Sequence, residues 1–138
     1  MSIKMTDSIL LTLSLTGTNS DILNEEIEEM KQLASTLNYN IVSSVIQKRT
    51  KIDASTYFGK GKLQTTIRQC NELGYHTIFI NNELKPGYFK RIQKLAGNEI
   101  LVIDRTKLIL DIFNNHAKTL ESKKQIELAS LEYMMPRL

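Results

Sequence analysis

The stretch Ser8-Ile9-Leu10-Leu11-Thr12-Leu13-Ser14-Leu15 decides the fold. Its apolar side chains follow one another almost without a break instead of alternating with polar ones. A strand wetted on one face alternates; a strand covered on both faces does not, and it belongs in a parallel sheet between layers of helices. The chain then supplies such a helix. Gly17 and Asn19 make a turn, and Ser20 is the expected N-cap. Leu23, Ile27, Met30, Ala34 and Leu37 fall on one helical face. Asp21, Glu25 and Glu26 crowd the opening turns, where the helix dipole favours negative charge.

The same rhythm repeats downstream. Residues 40–46 read as a second strand, followed by a basic, polar loop over 47–57. A helix expected from about Gly61 buries Leu63, Ile67, Cys70 and Leu73, and Gly74 ends it in the left-handed region. Residues 76–80 form a third strand. Pro86 opens and Gly97 closes a third helix, whose Phe89, Ile92 and Leu95 are expected to face the sheet. Residues 99–103 make the fourth strand. Strands alternating with helices at this spacing build right-handed β-α-β units, so the expected fold is α/β: an open four-stranded parallel sheet flanked by helices.

After residue 103 the pattern changes. A helix capped by Asp104 reaches His116, with Leu108, Ile109, Ile112 and Phe113 apolar. Another is expected from about Thr119 to the end, where Leu128, Leu131, Met135 and Leu138 recur at intervals of three, four and three. That spacing is a seam for another helix. Residues 1–103 are thus expected to form an α/β subdomain, and 104–138 a helical segment leading into a long helical hairpin. The seam's partner would lie beyond Leu138, in a longer protein of which this is the front piece.

Of the 138 residues, 41% are hydrophobic and 24% charged, which is globular and not disordered composition. No apolar run approaches the roughly 20 residues that span a bilayer, and the first seven residues lack a signal peptide's apolar centre. A single cysteine, Cys70, excludes an internal disulfide and any multi-cysteine zinc site. The cytoplasm is the expected compartment. Charge is lopsided: residues 1–47 carry two basic and six acidic side chains, residues 48–138 sixteen basic and nine acidic. A basic majority following an acidic front suggests a polyanion partner such as RNA, or a solvated mixed surface.

Gly59, Lys60, Gly61 and Lys62 are the candidate phosphate or RNA contact, because glycine N–H groups and lysine charge meet before a helix N-terminus. The alternative is a loop that needs glycine geometry. It is no P-loop: that pattern requires glycine at 56 and Ser/Thr at 63, and the chain has Thr56 and Leu63. Lys118, Lys123, Lys124 and Arg137, interleaved with Glu121, Glu127 and Glu132, are candidate RNA contacts or ordinary helix-surface charges. His76 and His116 have no acidic or cysteine neighbours at metal-ligand spacing, and no metal site is expected. Asp104 and Asp111 read as a cap and a solvated residue, or as paired carboxylates. With no nucleophile–base pair evident, no catalytic residue is assigned.

Four blocks resemble the HflX-type GTPases. Tyr57-Phe58-Gly59-Lys60-Gly61-Lys62 is similar to that family's Tyr-hydrophobic-Gly-x-Gly-Lys signature. Phe79-Ile80-Asn81-Asn82-Glu83-Leu84-Lys85-Pro86 resembles its hydrophobic–(Asp/Asn)2–Glu-Leu-Ser-Pro turn. The run from Val102 through Asp104-Arg105-Thr106 to Phe113 resembles its Asp-Arg-Thr-x-Leu-Ile-Leu-Asp-Ile-Phe block, and that from Gln125 through Tyr133 to Leu138 its Pro-Arg-Leu helix. Lys85 departs where the family has serine or threonine, and Asn81-Asn82 where acids are common. The resemblance implies an N-terminal α/β subdomain, a helical hairpin and a Ras-like G domain that this chain lacks. GTP and Mg2+ would belong to that G domain, with no cofactor in this chain. The implied partners are the large ribosomal subunit, through its RNA, and the protein's own G domain. Two other readings stay open from the residues: a stand-alone nucleotide- or phosphate-binding module, or RNA-binding module, without GTPase activity, and a piece that dimerises through its seam.

Overall fold

A computed structural model describes residues 4–138. Met1, Ser2 and Ile3, part of the start read as lacking signal-peptide character, lie outside the described residues. The elements run β1 (Thr6–Leu15), α1 (Ser20–Ser35), β2 (Tyr39–Arg49), α2 (Lys60–Glu72), β3 (Thr77–Ile80), α3 (Pro86–Ala96), β4 (Leu101–Asp104), α4 (Arg105–His116) and α5 (Leu120–Met134), closed by a 3-10 turn, Met135–Arg137. The strands form one sheet in the order β2-β1-β3-β4, and every pair is parallel. The α/β expectation holds.

Burial along β1 explains why its sequence does not alternate. Ile9, Leu11 and Leu13 pack on one face with Phe58, Leu63, Ile67 and Cys70, under α2 and α3. Leu10 points the other way, to Leu23, Ile27, Met30 and Ala34 of α1 and Leu108 of α4. Each fully buried aliphatic side chain contributes about 1.5–3 kcal/mol over its exposed state, so a strand that spends both faces this way anchors two layers. β1 and β2 pair as far as Leu15 and Arg49, whereas β3 and β4 stop at Ile80 and Asp104, opposite Leu11. The sheet therefore has a step at the carboxyl end of β1, on the side facing β3.

Several boundaries move. α1 is capped by Asn19, not Ser20: the Asn19 side-chain oxygen accepts from the N–H groups of Asp21 and Ile22 at 2.9 and 3.2 Å. β2 runs to Arg49, through residues expected in a loop, because an edge strand tolerates polar side chains on its open positions. Leu73 and Leu95, expected in the core, are exposed; Leu73 sits in the cap after α2, and Ala96 takes the inward place beside Ile92. Gly74 does adopt φ +71. The final α-helix stops at Met134 rather than at the end, because Pro136 has no N–H to continue it and the chain tightens to a 3-10 turn.

Asn19→Ala removes the side-chain cap of α1 and should cost about 1 kcal/mol in urea unfolding, while Ser20→Ala should fall within about 0.5 kcal/mol of the parent. The opposite ranking would return the cap to Ser20.

Candidate functional site

The segment leading into α2 is built around Asp53. Its carboxylate accepts from the N–H groups of Ser55 and Thr56 at 2.8 and 3.0 Å, and those bonds hold its pKa below the usual value. The turn returns on itself through paired backbone bonds between Asp53 and Tyr57. Tyr57 takes φ +63, a left-handed conformation costly for a bulky residue. Its ring is wedged edge-on against Phe58 and Tyr88, and Phe58 is driven into the core. Burial raises the Tyr57 phenol above its ordinary value, opposed by Asn82 beside it. The unusual backbone thus falls on Tyr57 and not on the glycines.

Gly59 lies buried at φ −61 with the side-chain ends of Arg49 and Gln47 against it, where a Cβ would make them shift. Its N–H donates to Gln47 Oε1 at 2.9 Å. Lys60, Gly61 and Lys62 form the exposed first turn of α2, which has no side-chain cap, and nothing crowds Gly61. With the Gly59 N–H committed and Leu63 buried in the core, these residues do not fit the phosphate cradle and Mg2+ hydroxyl ligand of a GTP site.

Ligands of open parallel sheets sit where strand order reverses, here between the carboxyl ends of β1 and β3. That step is filled by the chain itself. Asn82 accepts from the Leu13 N–H at 2.9 Å and donates to the Leu13 carbonyl at 3.3 Å, imitating the missing continuation of β3. An ionised carboxylate could accept but not donate here, so the side-chain amide of Asn82 is what closes both backbone groups.

A second cluster gathers at the end of β4. Asp104, fully buried, caps α4 by accepting from Lys107 N at 3.0 Å, and its other oxygen accepts from Leu84 N at 3.1 Å and from the Tyr133 hydroxyl of α5. Arg105 faces the opposite way: its guanidinium reaches the Asn81 side chain at 2.6 Å, the Glu26 carbonyl at 2.9 Å and Glu29 at 3.0 Å. One dipeptide therefore ties the sheet to α5 and to α1. Sequence reading found Asp104 as a cap but missed Arg105, Leu84 and Tyr133; an aspartate at a strand's end followed directly by arginine was the available signal.

Arg137, a candidate RNA contact, is turned inward. It donates to the carbonyls of Tyr133 at 2.6 Å and Leu84 at 2.7 Å and lies 3.6 Å over the Tyr133 ring. Lys118, Lys123 and Lys124 are exposed around the start of α5. Asp111 pairs with Lys107 and does not converge with Asp104 on a pocket. His76 Nδ1 lies 3.0 Å from the Glu99 carbonyl, and His116 ends α4. Cys70 is buried, with its thiol 3.4 Å from the Tyr75 carbonyl and its pKa pushed up by burial. Among the described residues no group of His, Cys, Asp and Glu could hold a metal ion, and no helix is long and apolar enough to cross a membrane.

An open four-stranded parallel sheet whose switch-point step is filled by the chain itself, with a last helix tied to a buried carboxylate, defines an α/β domain without a nucleotide crevice of its own. A family model described as GTP-binding GTPase N-terminal matches residues 24–114. A GTPase HflX from Alkalihalophilus pseudofirmus is 42% identical over 114 residues, covering 83% of this chain and 26% of that protein. One from Flavobacterium psychrophilum is 33% identical, covering 99% of this chain and 33% of that protein. A GTP-binding protein from Sulfolobus solfataricus, solved in complex with GDP, superposes with a TM-score of 0.72 at 31% identity, over 96% of this chain and 38% of that one. This chain belongs to the HflX family of GTPases and carries its N-terminal region. It spans about a quarter to a third of the length of these relatives.

Burial, then the hydrogen bond to Asp104, raises the Tyr133 pKa. A phenol that stays protonated in the fold stabilises it fully below the unfolded pKa of about 10 and loses that contribution as pH rises through the folded value. Tyr133→Phe should cost about 1–3 kcal/mol at neutral pH. In matched denaturation series from pH 8 to 11, the gap between parent and variant should narrow above about pH 10; a constant gap would mean the hydroxyl is not the anchor.

Proposed function

We propose that this chain is the N-terminal binding and regulatory domain of a cytoplasmic HflX-like GTP-binding protein, engaging the large ribosomal subunit through ribosomal RNA. It acts beside a G domain elsewhere in the polypeptide, which supplies GTP binding, Mg2+ and hydrolysis. The family assignment supports this reading, and one structural observation carries it: the exposed apolar edge of α5 and the turn after it.

α5 has no buried residue, yet Leu128, Leu131, Met135 and Leu138 are 58%, 53%, 64% and 80% exposed. Apolar burial holds this helix only in part, through half-buried Ile126, Ala129 and Met134. Tyr133 on Asp104, and Arg137 on Leu84, hold it. A helix latched by polar contacts with its apolar residues outward is a mounting surface for a following helix and, through it, for a neighbouring domain. Coupling then has a physical route: whatever packs on α5 bears on the Asp104 cluster, and Arg105 joins that cluster to α1. The phosphate-module alternative draws less support, because Gln47 occupies the Gly59 N–H and Asn82 occupies the switch-point step.

The expected result is that the chain sediments with purified large ribosomal subunits at low salt, in preference to small subunits. Affinity should fall steeply as salt rises, since phosphate contacts release counterions. Failure to sediment with large subunits even at low salt would sink the ribosome assignment.

A further inference from the structure

Folding converts the charge asymmetry along the chain into an asymmetry across the sheet. α1 carries Asp21, Glu25, Glu26, Glu28 and Glu29 against the single cation Lys31, and with α4 it covers one face. The two cations of α4 are neutralised locally, Arg105 by Glu29 and Lys107 by Asp111. α2 and α3 cover the other face and carry Lys60, Lys62, Arg68, Lys90, Arg91 and Lys94 against Glu72 alone. All six cations are exposed, and among the described residues none of them is in an ion pair.

This face is concave beside the start of α2. Ser55, Thr56, Lys60, Arg91, Lys94 and Leu95 line an open hollow of about 480 Å3 with no acidic side chain in its wall. Arg91 is braced there: its Nε donates to the Ser55 carbonyl and its guanidinium lies 5.5 Å from the centre of the Tyr88 ring, leaving the terminal nitrogens for an anion. Lys60 reaches in from the uncapped start of α2 and Lys94 from α3, while exposed Leu95 offers an apolar edge for a sugar or base. Arg49, against Gly59, extends the cationic line toward β2. By contrast Lys118, Lys123 and Lys124 alternate with Glu121 and Glu127 on a mixed surface.

We propose that the α2/α3 face is the RNA-contacting surface of this domain, with the hollow between the Ser55–Thr56 turn and α3 seating phosphate backbone against Lys60, Arg91 and Lys94, and with α1 turned away. This rests on the reading that RNA is the partner and assigns where it binds. The contact is to backbone and is blind to base sequence.

The test compares the unmodified 138-residue chain with two triple variants, Lys60→Gln/Lys90→Gln/Lys94→Gln and Lys118→Gln/Lys123→Gln/Lys124→Gln. Binding is measured across a salt series to purified large ribosomal subunits and to a short RNA hairpin. Glutamine keeps helix propensity at exposed positions, and matching far-ultraviolet circular dichroism shows that each variant folds. Arg91 is left intact because it braces Ser55. The α2/α3 variant should bind both RNAs about tenfold or more weakly, with the slope of log affinity against log salt reduced by about two. The α5 variant should stay within about twofold of the parent. An α2/α3 variant that binds like the parent, or a loss confined to the α5 variant, overturns the assignment. Parent binding to the hairpin but not to subunits, lost in the α2/α3 variant, upholds the face and sinks the ribosome reading instead. No binding by the parent to either RNA overturns both.

Discussion

The buried carboxylate of Asp104 is the constraint on which the rest of the arrangement depends. A carboxylate with no solvent access is costly unless its lone pairs are satisfied, and each donor that satisfies one is thereby fixed in place. Here the donors are Leu84 N from the turn after β3, Lys107 N from the first turn of α4 and the Tyr133 hydroxyl from α5. Three segments far apart in sequence are positioned by one side chain. Arg105 uses its guanidinium in the same way on the opposite side, between Asn81 and the Glu26 and Glu29 positions of α1.

This polar scheme compensates for what the apolar core does not reach. The core under β1 accounts for α1, α2, α3 and the inner side of α4, but it ends before α5. Directional bonds can hold a helix whose Leu128 and Leu131 stay exposed, and they fix its orientation more sharply than a non-directional apolar contact would. The filled step beside β1 follows the same logic: Asn82 closes the backbone groups of Leu13 that the shorter β3 leaves open. What remains available to a partner is therefore the outside of the domain, its cationic α2/α3 face and the apolar edge of α5.

The elements themselves were largely legible. Strand and helix periodicity located the four strands and five α-helices of the described residues, because the two-sided core imposes its pattern on each segment separately. Apart from the cap of α1, which near neighbours in sequence decide, the errors fell mainly where one residue's role depends on a neighbour across space. Leu95 and Ala96 compete for one inward position, and the helix's rotation on the sheet decided for Ala96. Gly59 looked like a conformational glycine, yet it is small so that Gln47 and Arg49 can lie against it, while Tyr57 carries the left-handed backbone. Arg137 resembled a free basic residue until Tyr133 and Leu84 engaged it.

By itself the sequence determined the fold class, the two-faced burial of β1, the succession of parallel units and the apolar stripe near the end, since each is written in local spacing of side chains along one segment. Only the tertiary structure decided which polar groups meet. That Asp104 receives Tyr133, that Asn82 replaces a stretch of strand, and that six separate cations of α2 and α3 share one surface opposite an acidic α1 are consequences of strand order and of helices being sorted to the two faces of the sheet. Spacing along a chain records which side of its own element a residue occupies; it holds no information about the distance to a residue on another.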